Sequence, residues 1–485
     1  MMLGNIPSLF YFQGELVLCL AVLVLLIVSV YKNAWKKSFY ITLLSLIISL
    51  SYVLYYMYFD GTQRLLFEES IILDPLSGFF KIIILLSVIA VVLLSFHNKE
   101  VKKEDWSEYF CLIVVSTIGM FLMTSSLNLL MIYLAIEMVS IPSYMLAGFN
   151  HNDRDSNEAS MKYVLYGSFA SGLMLFGMSW IYGQVGSLYL YDIGNYMRIS
   201  DQYTITAIIS FVFLFVGFGY KISSAPFHYW VPDVYQGSPT PVTTFFSVAP
   251  KVAGLVLLTR FLYTSMSDYQ LLNPVYVNWN FILGVLAAAT MTVGNILAIQ
   301  QNDVKRILAY SGISHIGFIM MAFAVTSLSA LTHMIFYIVI YMFMTLGAFS
   351  ILILFYNKYS VKSVSDWNGI GYLHPFICSL MILNLLALAG LPPTSGFVAK
   401  FYIFATIIES KTFYWLAIVA ILNTVIALYY YFNIARAMFL ESPSSLSYKK
   451  PEILIVSIIF ITSLQSLLFY FYWSDLYELI KGMFV

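Results

Sequence analysis

Charged side chains are what this 485-residue chain has least of. Asp, Glu, Lys and Arg together make up 10% of it, and they balance to a net charge of zero. A soluble surface is roughly a quarter to a third charged, so the two or three water-facing domains that the length alone suggests are excluded. The neutral balance gives no basis for a nucleic-acid partner. Cysteine is scarce too: Cys19, Cys111 and Cys378 each lie within an apolar run, and no CxxC occurs. Zinc and iron–sulfur sites need several converging ligands, so no metal centre is expected. No Walker loop or GxGxxG is present, which removes the sequence case for nucleotide binding. The N-terminus, MMLGNIPSLFYFQGELVL, lacks the basic n-region of a signal peptide, so its first apolar run is expected to be a retained span.

What the chain has instead is hydrophobic length. Apolar residues make up 61%, in recurring runs of about 20 residues, each long enough to cross a bilayer core of about 30 Å. The fold class is therefore an all-α polytopic membrane protein with about fourteen transmembrane helices. The spans lie near 14–31, 38–59, 76–96, 109–126, 128–149, 159–184, 204–223, 240–262, 278–299, 304–325, 330–356, 372–409, 412–438 and 452–475. Connections after odd-numbered spans hold fifteen Lys and Arg, Lys32 and Lys305 among them; connections after even-numbered spans and the C-terminal tail hold five, including Arg198 and Arg260. That bias places the odd connections in the cytoplasm and both termini outside.

Two spans are interrupted. The stretch from Gly217 to Phe261 breaks at Pro226, Pro232, Pro239 and Pro241, and the twelfth span breaks at Gly390-Leu391-Pro392-Pro393. Interruptions five spans apart mark an internal repeat, and five spans per unit make the repeat inverted. The chain divides into 1–105 (three N-terminal spans), 106–265 (spans 4–8), 266–440 (spans 9–13) and 441–485 (span 14). Broken backbone survives at membrane depth only where protein buries it or water lines it.

Four ionisable residues fall deep in these spans: Glu137, Lys221, Lys251 and Lys400. Each costs roughly 3 kcal/mol at the centre of a membrane helix on insertion scales. Tyr133, Ser140 and Tyr144 share the helical face of Glu137, and Pro142 bends the helix beside it. Burial alone neutralises a lone carboxylate or ammonium, whereas neighbours of opposite sign hold each other charged. Protonating the glutamate releases that hold, which is the coupling a proton relay needs. The bland reading is a buried ion pair that fixes helix packing. It suits one Glu and one Lys, and it becomes expensive for four charges. His315 could bridge Lys251 to Lys400, or be a hydrogen-bonded core residue. His228 lines the break in either a relay or a structural role. Asp233 is expected to cap or tie the broken backbone, Lys81 to snorkel from the outer end of span 3, and the GSFASG run at 167–172 to pack closely without chemistry.

These residues lie in motifs that resemble a known family. The motifs are IEMVSIPSYMLAGF around Glu137, MKYVLYGSFASGLMLFGMSWIYG at 161–183, KISSAPFHYWVPDVYQGSPTPV at 221–242, DVKRILAYSGISHIGF at 303–318 and AGLPPTSGFVAKFYIF at 389–404. Together they resemble the antiporter-like membrane subunits N of proton-pumping NADH:quinone oxidoreductase (respiratory complex I), the subunits 2 of mitochondria, over nearly the whole chain. The resemblance implies fourteen helices, inverted five-helix repeats with one discontinuous helix each, and a central polar axis. It implies Glu137 as the helix-5 acid, Lys221 as its helix-7 partner, Lys251 as the bridging lysine of helix 8 and Lys400 as the terminal lysine of helix 12. A lysine at 400, where subunits M usually carry glutamate, marks subunit N.

It further implies that NADH, FMN, iron–sulfur clusters and quinone belong to other subunits, with no cofactor in this chain. The implied partners are neighbouring membrane subunits, the lipid bilayer and protons. The implied location is the bacterial inner membrane with both termini periplasmic, an organellar inner membrane being the alternative. A subunit of a multisubunit cation/proton antiporter shares the Glu and Lys scaffold and is the competing reading; PSYMLAGF and LPPTSGFVAKFY favour the oxidoreductase. A structural scaffold is a third reading, which the buried charges oppose. The four charges are expected near the bilayer midplane in one line, with Glu137 in direct or single-water contact with Lys221 and no carboxylate beside Lys400.

Overall fold

Apolar segments of bilayer length can satisfy their backbone in hydrocarbon only by coiling into helices, and the chain is helical almost throughout. The computed structural model describes residues 3–31, 34–199, 205–265, 278–442 and 447–483. Among the described residues, twelve helices are long and apolar enough to cross a membrane, from Trp35–Phe59 to Ile453–Phe471, and each coincides with an expected span. The first expected span is the helix Gln13–Ser29, preceded by a short helix, Asn5–Tyr11, that meets it at 85°. The twelfth is two helices of fifteen residues each, Pro375–Ala389 and Ser395–Glu409. Lys32 lies outside the described residues, as does the side chain of Arg198, and the 265/266 boundary falls where description stops.

Three connecting elements were not anticipated. An antiparallel hairpin, Arg64–Leu66 with Ile71–Leu73, joins spans 2 and 3 and buries Leu66, Ile71 and Leu73. The helix Leu190–Ile199 joins spans 6 and 7, burying Leu190, Ile193 and Met197 on one face. The helix Trp473–Lys481 follows span 14.

Burial ranks the spans. Thr240–Ser265 (span 8) and Val304–Ala324 (span 10) are wholly enclosed, and Leu328–Tyr359 (span 11) nearly so. Trp35–Phe59, Arg154–Val185 and Ile453–Phe471 present most of their surface outward. The centre of the molecule is thus built from the spans that carry Lys251 and His315.

The two breaks differ in cause. Ile205–Ile222 stops at Ser223, whose φ of +66° is left-handed, and the chain passes through Pro226 before Trp230–Gly237 resumes the helix. Of the other prolines expected to break it, Pro232 lies inside that short helix. Pro239 precedes span 8, and Pro241 is its second residue, where a missing N–H costs nothing. The break in span 12 is a glycine cap: Gly390 has φ +80°, and its N–H reaches back to the carbonyls of Leu386 and Ala387. Close approach of the two half-helices depends on Gly396, where a Cβ would stand 1.8 Å from the Ala387 carbonyl oxygen.

Two basic residues expected in connections are inside the fold. Arg260 lies within span 8 and forms a two-pronged ion pair with Asp74 (2.9 and 3.0 Å) while donating to the Thr124 carbonyl. Lys305 is buried in the first turn of span 10, donating to the Ser238 carbonyl at 3.0 Å with Glu100 at 4.0 Å.

Candidate functional site

Span 5, Leu129–Ala147, places Glu137 near its middle, and the residues one turn either way decide its surroundings. Glu137 is half-buried, and its Oε1 accepts a hydrogen bond from Ser171 of span 6. Ser140, one turn on, accepts from Lys221 Nζ at 3.0 Å while its own hydroxyl donates to the Ile136 carbonyl at 2.7 Å. Of the expected direct or single-water contact between Glu137 and Lys221, the direct one does not occur among the described residues: Ser140, on the same helical face, accepts from the ammonium. The two charges remain within electrostatic reach.

Lys221 closes the last turn of Ile205–Ile222, and its stem lies against span 8. A Cβ at Gly254 would stand 3.4 Å from Lys221 Cγ, and Lys251 is three residues earlier on that helix. The local form of span 8 follows from Pro250, which has no N–H to give the Phe246 carbonyl. That carbonyl accepts instead from the Tyr235 hydroxyl at 3.0 Å, and the Ser247 carbonyl accepts from the Tyr341 hydroxyl at 3.1 Å. Lys251 emerges at this opened turn. Its ammonium is buried 5.2 Å from the centroid of the Tyr235 ring and has no hydrogen-bond partner among the described residues. Across from it is Gly312 of span 10, where a Cβ would stand 2.9 Å from Nζ.

One turn beyond Gly312, His315 is enclosed and hydrogen-bonded on both ring nitrogens, Nδ1 to the Tyr337 hydroxyl at 2.9 Å and Nε2 to that of Tyr431 at 3.3 Å. It lies within electrostatic reach of both Lys251 and Lys400. Phe318, three residues on, presents its ring to Lys400 Nζ at 4.6 Å. Lys400 is buried and has no carboxylate partner among the described residues. Its ammonium donates to the carbonyls of Ala389 (2.9 Å) and Leu388 (3.3 Å), the free carbonyls that end the first half of span 12. A helix C-terminus carries partial negative charge, so the break itself is the counter-group of this lysine. The five residues lie on spans 5, 7, 8, 10 and 12, with Lys221 against span 8 and the ammonium groups of Lys251 and Lys400 against span 10.

The model for the family "NADH:quinone oxidoreductase/Mrp antiporter, TM" matches residues 126–427. The chain belongs to that family. A relative named NADH-quinone oxidoreductase subunit N 2, from Sorangium cellulosum, is 38% identical over 99% of this chain and 97% of its own length. A chain of respiratory complex I from Thermus thermophilus with bound aureothin superposes with a TM-score of 0.80 at 26% identity, covering 96% of this chain and 98% of that one. A chain of the Mrp complex from Dietzia sp. superposes with a TM-score of 0.85 at 17% identity over 98% and 97% of the two chains, a likeness of fold alone.

Among the neighbouring residues of this family member, His228 lies buried in the break of span 7 as expected, with neither ring nitrogen hydrogen-bonded among the described residues and its ring stacked on Tyr229 at 4.5 Å. Asp233, expected to cap or tie the broken backbone, does the second: it pairs with Lys162 of span 6 (2.7 Å) and Arg306 of span 10 (2.6 Å), tying the resumed helix to both spans. Lys81 does not snorkel: it is buried and pairs with Glu15 at 2.6 Å. The GSFASG run packs as expected at Gly167, where a Cβ would meet the Tyr144 hydroxyl at 1.9 Å, and Ser171 within it also bonds Glu137. Tyr235, Tyr337, Tyr341 and Tyr431 were missed; the signal for two of them was the four-residue spacing of Tyr337 and Tyr341 in span 11.

Proposed function

We propose that this chain is the antiporter-like subunit N of a proton-translocating NADH:quinone oxidoreductase, and that it moves protons through Glu137, Lys221, Lys251, His315 and Lys400. The reading is supported most by Lys251, a fully enclosed ammonium with no hydrogen-bond partner among the described residues, at an opened helical turn. A lysine kept for packing would be paired; one that exchanges its proton gains from having no fixed acceptor. On this reading the Ser140 hydroxyl couples the Glu137 end to Lys221. The tyrosines around His315 carry hydroxyls that both donate and accept. The carbonyls at the span 12 break hold the Lys400 proton until it leaves.

The redox chemistry, with NADH, FMN, iron–sulfur clusters and quinone, belongs to partner subunits. The likeness to subunit N relatives supports this over the cation/proton antiporter, whose likeness here rests on fold. Spans 4–8 (106–265) and 9–13 (266–440) form inverted units after the N-terminal three spans (1–105), with span 14 in 441–485. The placement of the broken span fourth in each unit supports that division. The chain lies in the bacterial inner membrane with its termini on the periplasmic side; moving Arg260 and Lys305 out of the connections leaves the basic bias in place. The test is NADH-driven proton transport by the assembled complex carrying Lys251→Met. We expect normal complex content and a several-fold loss of transport. Wild-type transport would remove Lys251 from the path and the reading with it.

A further inference from the structure

We propose that the ends of spans 2 and 4 on the lysine-rich membrane face form a binding site for an anionic phospholipid, whose phosphate Lys36 and Lys103 hold beside the Trp35 ring. The inference is independent of the relay. Lys36 lies in the first turn of Trp35–Phe59, and Lys103 opens the short turn Lys103–Asp105 that leads into Trp106–Ser125. Their Nζ atoms are 5.2 and 4.4 Å from the centroid of the same indole ring, so ammonium groups from two spans converge on one spot. The ring attracts their charge but is no substitute for an oxygen acceptor, and each ammonium keeps N–H groups to donate. Lys37 and Lys102 adjoin them in sequence, and all four lysines are exposed. None of the four forms an ion pair or donates a hydrogen bond among the described residues, although Glu104 and Asp105 follow in the same turn. On the same side of the membrane, Lys162, Lys305, Arg306, Lys358 and Arg436 each meet a carboxylate within 4.0 Å.

The ring that gathers the lysines is held in place. Trp35 is half-buried, edge-on to the enclosed Trp106 at 5.3 Å and 6.2 Å from Phe96. Within the first turn of each span, Ser38 and Ser107 are hydrogen-bonded to each other at 2.6 Å. Below the lysines, Tyr40, Leu44 and Ile47 follow Lys36 at intervals of four, four and three residues, which puts them on its face of span 2. They are 60%, 59% and 45% exposed. The surface therefore carries cations at the level of lipid head groups and an apolar track leading from them toward the membrane centre, the outline of a phospholipid with an anionic head. A small soluble anion would use the lysines and leave the track uncovered. A zwitterionic head group would bring its own ammonium against four others, so the site favours a phosphodiester without an amine, the chemistry of phosphatidylglycerol. Binding forms charge-assisted hydrogen bonds to the phosphate oxygens and no covalent bond.

Photolabelling tests the site in the assembled complex. The complex is reconstituted in vesicles of phosphatidylethanolamine and phosphatidylglycerol that contain a trace of one or the other lipid with a photoactivatable acyl chain, and label on residues 35–59 is measured by peptide mapping. The wild type is compared with Lys36→Gln plus Lys103→Gln, with Lys36→Arg plus Lys103→Arg, and with Lys449→Gln plus Lys450→Gln, which removes the same charge elsewhere on that face. We expect the phosphatidylglycerol probe to label span 2 of the wild type, the arginine variant and the Lys449/Lys450 control alike. Label should fall several-fold in the Lys36/Lys103 glutamine variant, and the phosphatidylethanolamine probe should label weakly throughout. Equal labelling of the wild type and that glutamine variant overturns the proposal, as does equal labelling by the two probes. A matching loss in the Lys449/Lys450 control would reduce the effect to overall charge. Loss of label on adding inorganic phosphate at constant ionic strength would reveal a small-anion site and contradict the lipid. No label in the wild type also overturns the site, the outcome expected if another subunit covers this face.

Discussion

Glu15 and Lys81 show how a buried charge is misread from sequence. Each lies near one end of an apolar span, where a snorkelling head group is the ordinary outcome, and nothing in either segment names the other. The structure brings them to 2.6 Å with both side chains enclosed. Breaking such a pair strands a buried charge at a cost of about 3–5 kcal/mol, whereas an apolar replacement of both partners is often neutral. We therefore expect Glu15→Gln to lower the content and thermal stability of the complex, and Glu15→Leu with Lys81→Met to recover most of both. Transport per assembled complex should stay at the wild-type level in every case, since the pair lies off the axis; a transport defect in the double variant would place it on the path. The four deep charges were legible because depth within a span follows from position in an apolar run. Their partners were not: Ser140 replaced Glu137 as the contact of Lys221, and backbone carbonyls replaced any side chain at Lys400.

At the level of elements, the break at 390–393 could be read because glycine and paired prolines end helices. The opening in span 8 could not, since a single proline within an apolar run announces a kink without saying which groups take the freed carbonyls. Those takers, Tyr235 and Tyr341, come from other helices. Pro250→Ala restores an N–H that competes with the Tyr235 hydroxyl for the Phe246 carbonyl. We expect it to assemble normally and to transport more slowly; unchanged transport would show that the opened turn has no part in proton movement. Gly396→Ala should fail earlier, in assembly, because its Cβ has no room beside Ala387. Gly172→Ala, with nothing within 4 Å of the added carbon, should assemble like the wild type. Immunodetection of the subunit in the purified complex distinguishes the two.

Across the whole molecule, the number and order of spans were legible because hydropathy reports directly on contact with lipid. The short helix before the first span, the hairpin and the two amphipathic helices fall short of bilayer length and left no such signal. Glu137 adds a constraint that only the assembled fold reveals. Leu130, Leu134, Ile141 and Met145 flank it at helical spacing and are about half exposed, so the carboxylate lies at the rim of an apolar outer face. Facing lipid, it would cost roughly 3 kcal/mol, which a covering subunit avoids. A photocrosslinker at Ile141 should therefore capture another subunit of the complex; capture of lipid alone would mean that this face is open.

Lys400 tests the central claim most directly, because its geometry allows a fixed charge to be told from an exchangeable one. Lys400→Arg keeps a cation that can still donate to the carbonyls of Leu388 and Ala389, but a guanidinium does not release its proton. Lys400→Met removes both charge and donors. Proton transport per NADH oxidised, measured on the two assembled variants beside the wild type, separates the roles. If Lys400 passes protons on, both variants fall several-fold. Wild-type transport in Lys400→Arg would show that a static charge at the break suffices, and the path would then end before span 12.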